Sequence, residues 1–156
     1  MSTTQEQLLA ALAPLAERIA RLDLSDPAVA ARTLESEHPV AGLSWIDDLF
    51  AAASSEGWLT PKRATPAITF GRLAKPGAGT TGLSIDVVDM DDGAGLPHTH
   101  PDGEVSLCFP RTGVPTFEGC PRGWVVMPPG SRHIPAVTGG RMVIAYFLPK
   151  GSMIWE

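Results

Sequence analysis

Three of the chain's four histidines lie in two short segments, His98-Thr99-His100-Pro101-Asp102-Gly103-Glu104 and Pro128-Pro129-Gly130-Ser131-Arg132-His133. Side chains at i and i+2 of a strand share a face, so His98 and His100 can reach one point in space. Gly103 permits a turn that returns Glu104 to that point, and the Pro-Gly turn ahead of His133 starts a separate strand that brings a third imidazole. Three neutral imidazoles and one carboxylate, with room for water, suit a divalent transition ion such as Fe, Mn, Ni, Co or Zn. His98, His100, Glu104 and His133 are therefore the candidate metal ligands. A polar surface turn can also carry histidines that bind nothing. Their concentration here, with only His38 elsewhere, favours the ion site.

The elements that must position these groups change character near residue 60. Before it, Leu8, Leu12, Leu15, Ile19 and Leu22 recur at helical spacing, with Pro14 expected to kink or split the helix. Ser25-Asp26-Pro27 opens a second helix to about Glu37, broken by His38-Pro39. Residues 47–55 read as a third, with Ile46, Leu49, Phe50 and Ala53 on one side and Gly57 as its stop. After residue 60, short strands are expected over residues 67–73, 83–90, 105–109, 123–127, 142–148 and 152–155, separated by Gly- and Pro-rich turns. That pattern indicates a sandwich or barrel. The division is a helical segment over 1–59, packed on the barrel or carrying a dimer contact, and a barrel over 60–156.

Composition excludes several classes. With 156 residues, 44% hydrophobic and 19% charged, the chain fits one domain with a sizeable core. A net charge of −5 argues against nucleic acid and anionic membrane as partners. No basic, apolar leader and no membrane-spanning run are read, and Cys108 and Cys120 make no disulfide framework. The expectation is a cytoplasmic protein, with a homodimer as the base-rate assembly. Glu104, Ser106 and Cys108 alternate on one face, which makes Cys108 either a pocket residue or, by the usual habit of free cysteine, a core residue.

The two histidine segments resemble the paired motifs of the cupin superfamily, a jelly-roll architecture. Gly93 or Gly95 precedes His98-Thr99-His100 and Glu104, and Gly123 precedes Pro128-Pro129-Gly130-Ser131-Arg132-His133. Both glycine spacers are one residue short, and Val137 stands where the family places an asparagine; these departures touch turns rather than ligands. The resemblance implies a mainly β, cupin-like jelly-roll barrel with an N-terminal segment of three short helices.

Over nearly the whole chain, further runs resemble the 4-hydroxylaminobenzoate lyase family. They are Leu22-Asp23-Leu24-Ser25-Asp26-Pro27, Gly57-Trp58-Leu59, Ser84-Ile85-Asp86, His98-Thr99-His100-Pro101 with Gly103-Glu104, Leu107-Cys108-Phe109, Gly123-Trp124-Val125-Val126 and Tyr146-Phe147-Leu148-Pro149. This resemblance implies an ammonia-releasing carbon–nitrogen lyase of nitroaromatic breakdown. It would convert 4-hydroxylaminobenzoate and water to 3,4-dihydroxybenzoate (protocatechuate) and ammonia, with Glu104 as the catalytic proton carrier. Two alternatives stay open on the same ligands: a cupin dioxygenase or isomerase acting on another small acid, and a non-catalytic cupin that binds a small molecule.

A benzoate substrate needs a cation, and arginine offers carboxylates the best fork. Arg132 and Arg141 are the first candidates, although Arg132 alternates with His133 and would then face away; Arg111 and Arg72 are further ones. Trp124 and Tyr146 are candidates for the aromatic wall, with Phe109 and Phe147 beside them. Asp86 is placed by parity to face inward as a partner to a ligand histidine. His38 reads as a helix end, and Asp89, Asp91 and Asp92 as a solvated face without calcium-loop spacing.

Overall fold

The computed structural model describes residues 3–156. Helix α1 spans Thr3–Ala20, α2 spans Pro27–Glu37 and α3 spans Ser44–Glu56. Leu8, Leu12, Leu15, Ala16 and Ile19 form the buried stripe of α1. The helix runs unbroken through Pro14, contrary to the expected split, with Pro14 itself on the solvent side. A carbonyl freed by proline there can be hydrated, which removes part of the cost. Asp26 caps α2 through a bond accepted from the Val29 N–H, and Pro27 takes the first helical position. Gly57, at φ 83°, ends α3 in the left-handed region.

Nine strands follow: β1 Lys62–Thr65, β2 Ile68–Ala74, β3 Leu83–Ala94, β4 His98–His100, β5 Glu104–Phe117, β6 Gly123–Met127, β7 Ser131–His133, β8 Ala136–Pro149 and β9 Ile154–Trp155. All pairings between strands are antiparallel. One sheet has the order β1-β2-β3-β8-β5-β6, the other β7-β4-β9. The two sheets enclose one cavity lined from both, a mainly β, cupin-like jelly-roll barrel with three helices on its outside. Among the described residues, no helix is long and apolar enough to cross a membrane.

Strand parity decides what each face of the large sheet does. Ile85 and Val87 of β3, Val105, Leu107 and Phe109 of β5, and Val143, Ala145 and Phe147 of β8 face outward. There they join the helical residues Leu8, Leu12, Leu34, Ile46 and Phe50 in one buried cluster. Burial on this scale is the main stabilising term of the fold. The alternate residues face the barrel interior. Part of that interior is filled by a second cluster that includes Met90, Cys108, Phe117, Met142 and Ile144; the rest is cavity. Cys108 is thus core, fully buried.

Candidate metal centre and pocket

β4 and β7 pair with His98 opposite His133 and His100 opposite Ser131. All three imidazoles therefore come from adjoining positions of the small sheet, while Glu104 arrives from the first residue of β5 in the large one. The connection between β4 and β5 turns at Gly103, φ 85°, where a Cβ would lie 2.8 Å from the Met127 carbonyl oxygen. Any side chain there would push the turn off the end of β6 and shift Glu104 with it. The His100 carbonyl accepts from both Gly103 N–H (3.2 Å) and Gly130 N–H (2.7 Å), which fastens the two glycine turns to the same ligand residue.

The three Nε2 atoms form a triangle with edges of 3.0, 2.9 and 3.1 Å, and Glu104 Oε2 lies 3.2 Å from His100 Nε2. One ligand atom from each of the four residues lies within 4.8 Å of all the others. His98 Nδ1 donates to the Leu96 carbonyl (2.9 Å), and His133 Nδ1 faces Glu118 Oε1 (3.0 Å). With Nδ1 protonated, the Nε2 lone pairs of both rings point inward. Burial lowers His100 to about 3, an effect added to by His98 and His133, and burial likewise lowers His98. His98 and His100 are therefore neutral near pH 7. Three ring nitrogens gathered this closely cannot all be satisfied by sharing protons among themselves; a cation at their centre satisfies all three. At an ion–nitrogen distance of about 2.1 Å, imidazoles meeting at right angles would sit about 3.0 Å apart, and tetrahedral ones about 3.4 Å. The observed edges match the right-angled arrangement, so the four residues could hold a divalent ion and leave positions free for water or substrate.

Glu104 is buried. Desolvation raises it to about 7, although Ser106 Oγ donates to Oε1 at 2.9 Å and pulls the other way. An aqueous carboxyl group would be ionised at this pH; this one can exist in either form.

The cavity of about 780 Å³ opens from this cage. Ile68, Phe70, Val88 and Ile144 line it on the large sheet, and Met153 and Trp155 close it from the C-terminal segment. β9 holds that segment against β4, and the Trp155 ring lies edge-on to His98 at 4.9 Å between centroids. Arg72, Asp86 and Tyr146 line the same cavity. Arg72 bonds Asp86 through Nε (2.9 Å), so Asp86 does face inward, but toward an arginine rather than a ligand histidine. Tyr146 is mostly buried, which pushes its hydroxyl well up and keeps it protonated.

Three expected substrate contacts lie elsewhere. Arg132 leaves the cavity for the reason parity gives, and its Nε and Nη2 bond Glu156 at 2.6 and 2.7 Å on the surface. Arg141 shares the outward face of β8 with Val143 and bonds Asp89 at 2.8 and 2.6 Å. Trp124 opposes outward-facing Leu107, packs into the helix-side cluster and donates its indole N–H to the His38 carbonyl at 2.9 Å. Arg111 pairs with Asp47 of α3, and His38 caps α2. Of the four expected substrate residues, only Tyr146 reaches the cavity. Met153 and Trp155, expected only as strand residues, and Glu118 also belong to the site; Glu118 meets His133 across 15 residues of chain, and no local pattern encodes that contact.

A barrel of this topology with three histidines and a glutamate converging on its cavity defines a cupin-type protein with a candidate metal centre. The family described as PnbB: 4-hydroxylaminobenzoate lyase matches residues 16–155, and the chain belongs to that family. It is 30% identical over 129 residues to the 4-hydroxylaminobenzoate lyase of Pseudomonas putida, covering 71% of this chain and 72% of that protein. To the 4-hydroxylaminobenzoate lyase of Nocardioides sp. (strain LMS-CY) it is 33% identical over 92 residues, about half the length of each (54%). Similar solved structures include an oxalate oxidase bound to glycolate (TM-score 0.44, 19% identity, 59% of this chain and 57% of that one). Another is an RmlC-like cupin from Ralstonia eutropha JMP134 (TM-score 0.44, 15% identity, 63% and 65%).

Proposed function

We propose that this chain is a metal-dependent lyase that converts 4-hydroxylaminobenzoate, or a closely related hydroxylamino-aromatic acid, and water to 3,4-dihydroxybenzoate and ammonia. The observation that carries the reading is the convergence of His98, His100, Glu104 and His133 at one end of a cavity large enough for a substituted benzene ring. Membership of the lyase family supports the substrate class. The reaction exchanges nitrogen for oxygen with no net oxidation, so neither a nicotinamide nor a flavin is required.

A divalent ion held by the four ligands would supply Lewis acidity toward the departing hydroxylamino oxygen and a water of lowered pKa. The chain's own residues do the rest. Glu104, in the states where it is released from the ion, takes a proton from water and returns one to the leaving oxygen or nitrogen. Ser106 holds the Glu104 carboxyl in place through Oε1. Ile68, Phe70, Val88 and Ile144 provide the apolar walls for the ring. Tyr146, protonated and lining the cavity, offers a hydrogen-bond donor but no base.

Anaerobic incubation of metal-loaded protein with 4-hydroxylaminobenzoate tests the proposal. It predicts 3,4-dihydroxybenzoate and ammonia in equal amounts. Turnover that appears only with oxygen would instead identify a dioxygenase, and folded, loaded protein that yields neither product would refute the lyase reading.

A further inference from the structure

Arg72, Asp86, Tyr146 and Ser106 occupy one rank across the large sheet. The register pairs Arg72 with Asp86, Asp86 with Tyr146 and Tyr146 with Ser106 on four successive strands, β2, β3, β8 and β5. All four line the cavity. Glu104 is the next same-face residue to Ser106 on β5, so this polar rank begins beside the metal cage and ends at Arg72. Three inter-strand steps separate Arg72 from Ser106, about 14 Å between backbones. A para-disubstituted benzene ring with a hydrogen bond at either end fits within that span.

From this arrangement, and resting on the lyase reading above, we infer that the Arg72 guanidinium, held by Asp86, receives the substrate carboxylate and so selects para-substituted aromatic acids. The chemistry is that of a guanidinium with one edge already used. Arg72 offers five N–H donors. Nε–H and one Nη2–H face Asp86, at 2.9 and 3.5 Å. The Nη1–Nη2 edge remains for a second carboxylate, the end-on fork that arginine makes well. Asp86 is buried and fixes the side chain's direction, while the Arg72 side chain is half-exposed toward the cavity. Lys62, exposed on β1 opposite Phe70, lines the same cavity and adds a second cation on the Arg72 side of the sheet. Asp86 acts as a positioning residue and Arg72 as the binding one.

The test is binding of 4-aminobenzoate, which carries the para nitrogen and the carboxylate but has no N–O bond to break, measured calorimetrically on metal-loaded protein. Aniline and 3-aminobenzoate serve as controls. Wild type is expected to bind 4-aminobenzoate at least about tenfold more tightly than either control. Arg72→Gln should lower 4-aminobenzoate affinity by roughly 10- to 100-fold, the loss expected for one charge-assisted contact, and leave aniline binding unchanged. Arg72→Lys should recover part of the loss. Because Arg72→Gln strands Asp86, the Arg72→Gln/Asp86→Asn double variant removes both charges and should show the same loss. In turnover, KM for 4-hydroxylaminobenzoate should rise far more than kcat falls. Unchanged 4-aminobenzoate affinity in both variants, or an equal loss for aniline, would overturn the assignment. Arg72-dependent binding without any turnover in wild type would leave the anchor standing and sink the lyase reading; turnover with an unchanged KM in the variants would do the reverse.

Discussion

The two faces of the large sheet share the same strands and do different work. On β5, Val105, Leu107 and Phe109 face the helices and are buried in an apolar cluster. Alternating with them, Glu104 and Ser106 face the cavity, and Ser106 donates a hydrogen bond to Glu104. On β8 the same alternation sets Val143, Ala145 and Phe147 against Tyr146. Alternation places binding groups on rigid elements without breaking the core, because each polar residue has an apolar neighbour anchoring the strand from the other side. Stability should therefore reside mainly on one face and chemistry on the other, and substitutions one residue apart should separate the two.

The largest expected effect is on the cavity face. Glu104→Gln keeps the shape and removes the proton carrier, so kcat should fall by about 10²-fold or more. Thermal stability should hold or rise, because a neutral amide carries less desolvation penalty than a buried carboxyl near its pKa. A variant that kept both turnover and metal content would break the division. On the other face, Phe147→Ala should cost about 3–5 kcal/mol in denaturant unfolding, since Phe147 is fully buried against the helices. Its KM for 4-hydroxylaminobenzoate should stay within a few-fold of wild type in the molecules that remain folded.

Two smaller effects sharpen the comparison. Trp124→Phe removes the indole bond to the His38 carbonyl and should cost about 1 kcal/mol, with KM unchanged. Arg141→Gln breaks a partly exposed pair with Asp89 and should cost under about 1 kcal/mol, again with KM unchanged. A rise in KM for either would return those residues to the substrate site.

These two residues also show where the sequence stopped being informative. The cage was legible because each half carries its own motif, His-x-His with the Gly103 turn and the Pro-Gly turn ahead of His133, although the β4–β7 pairing that joins the halves is long-range. The helices were legible from periodicity and from the Asp26, Pro27 and Gly57 signals, within a few residues at their ends. The substrate side was legible only as residue types. Arg141 and Tyr146 lie an odd number apart on a strand, so they cannot both face the cavity without a bulge; parity alone could have separated them. Choosing which face was inward required the helices to be placed. Arg72 became distinctive only when register aligned it with Asp86, Tyr146 and Ser106. β1 escaped because Lys62–Thr65 is exposed throughout and has no alternation to read. Trp155 could be read as an edge residue, but its place beside His98 depends on pairing with β4 from 57 positions away.

Calorimetric titration of chelator-treated protein with a divalent transition ion tests most directly whether the cage is a metal centre. Wild type should bind one ion per chain with submicromolar affinity, and His100→Ala should lose that binding while its folded circular dichroism spectrum is retained. Absence of binding in wild type, or equal binding in His100→Ala, would contradict it.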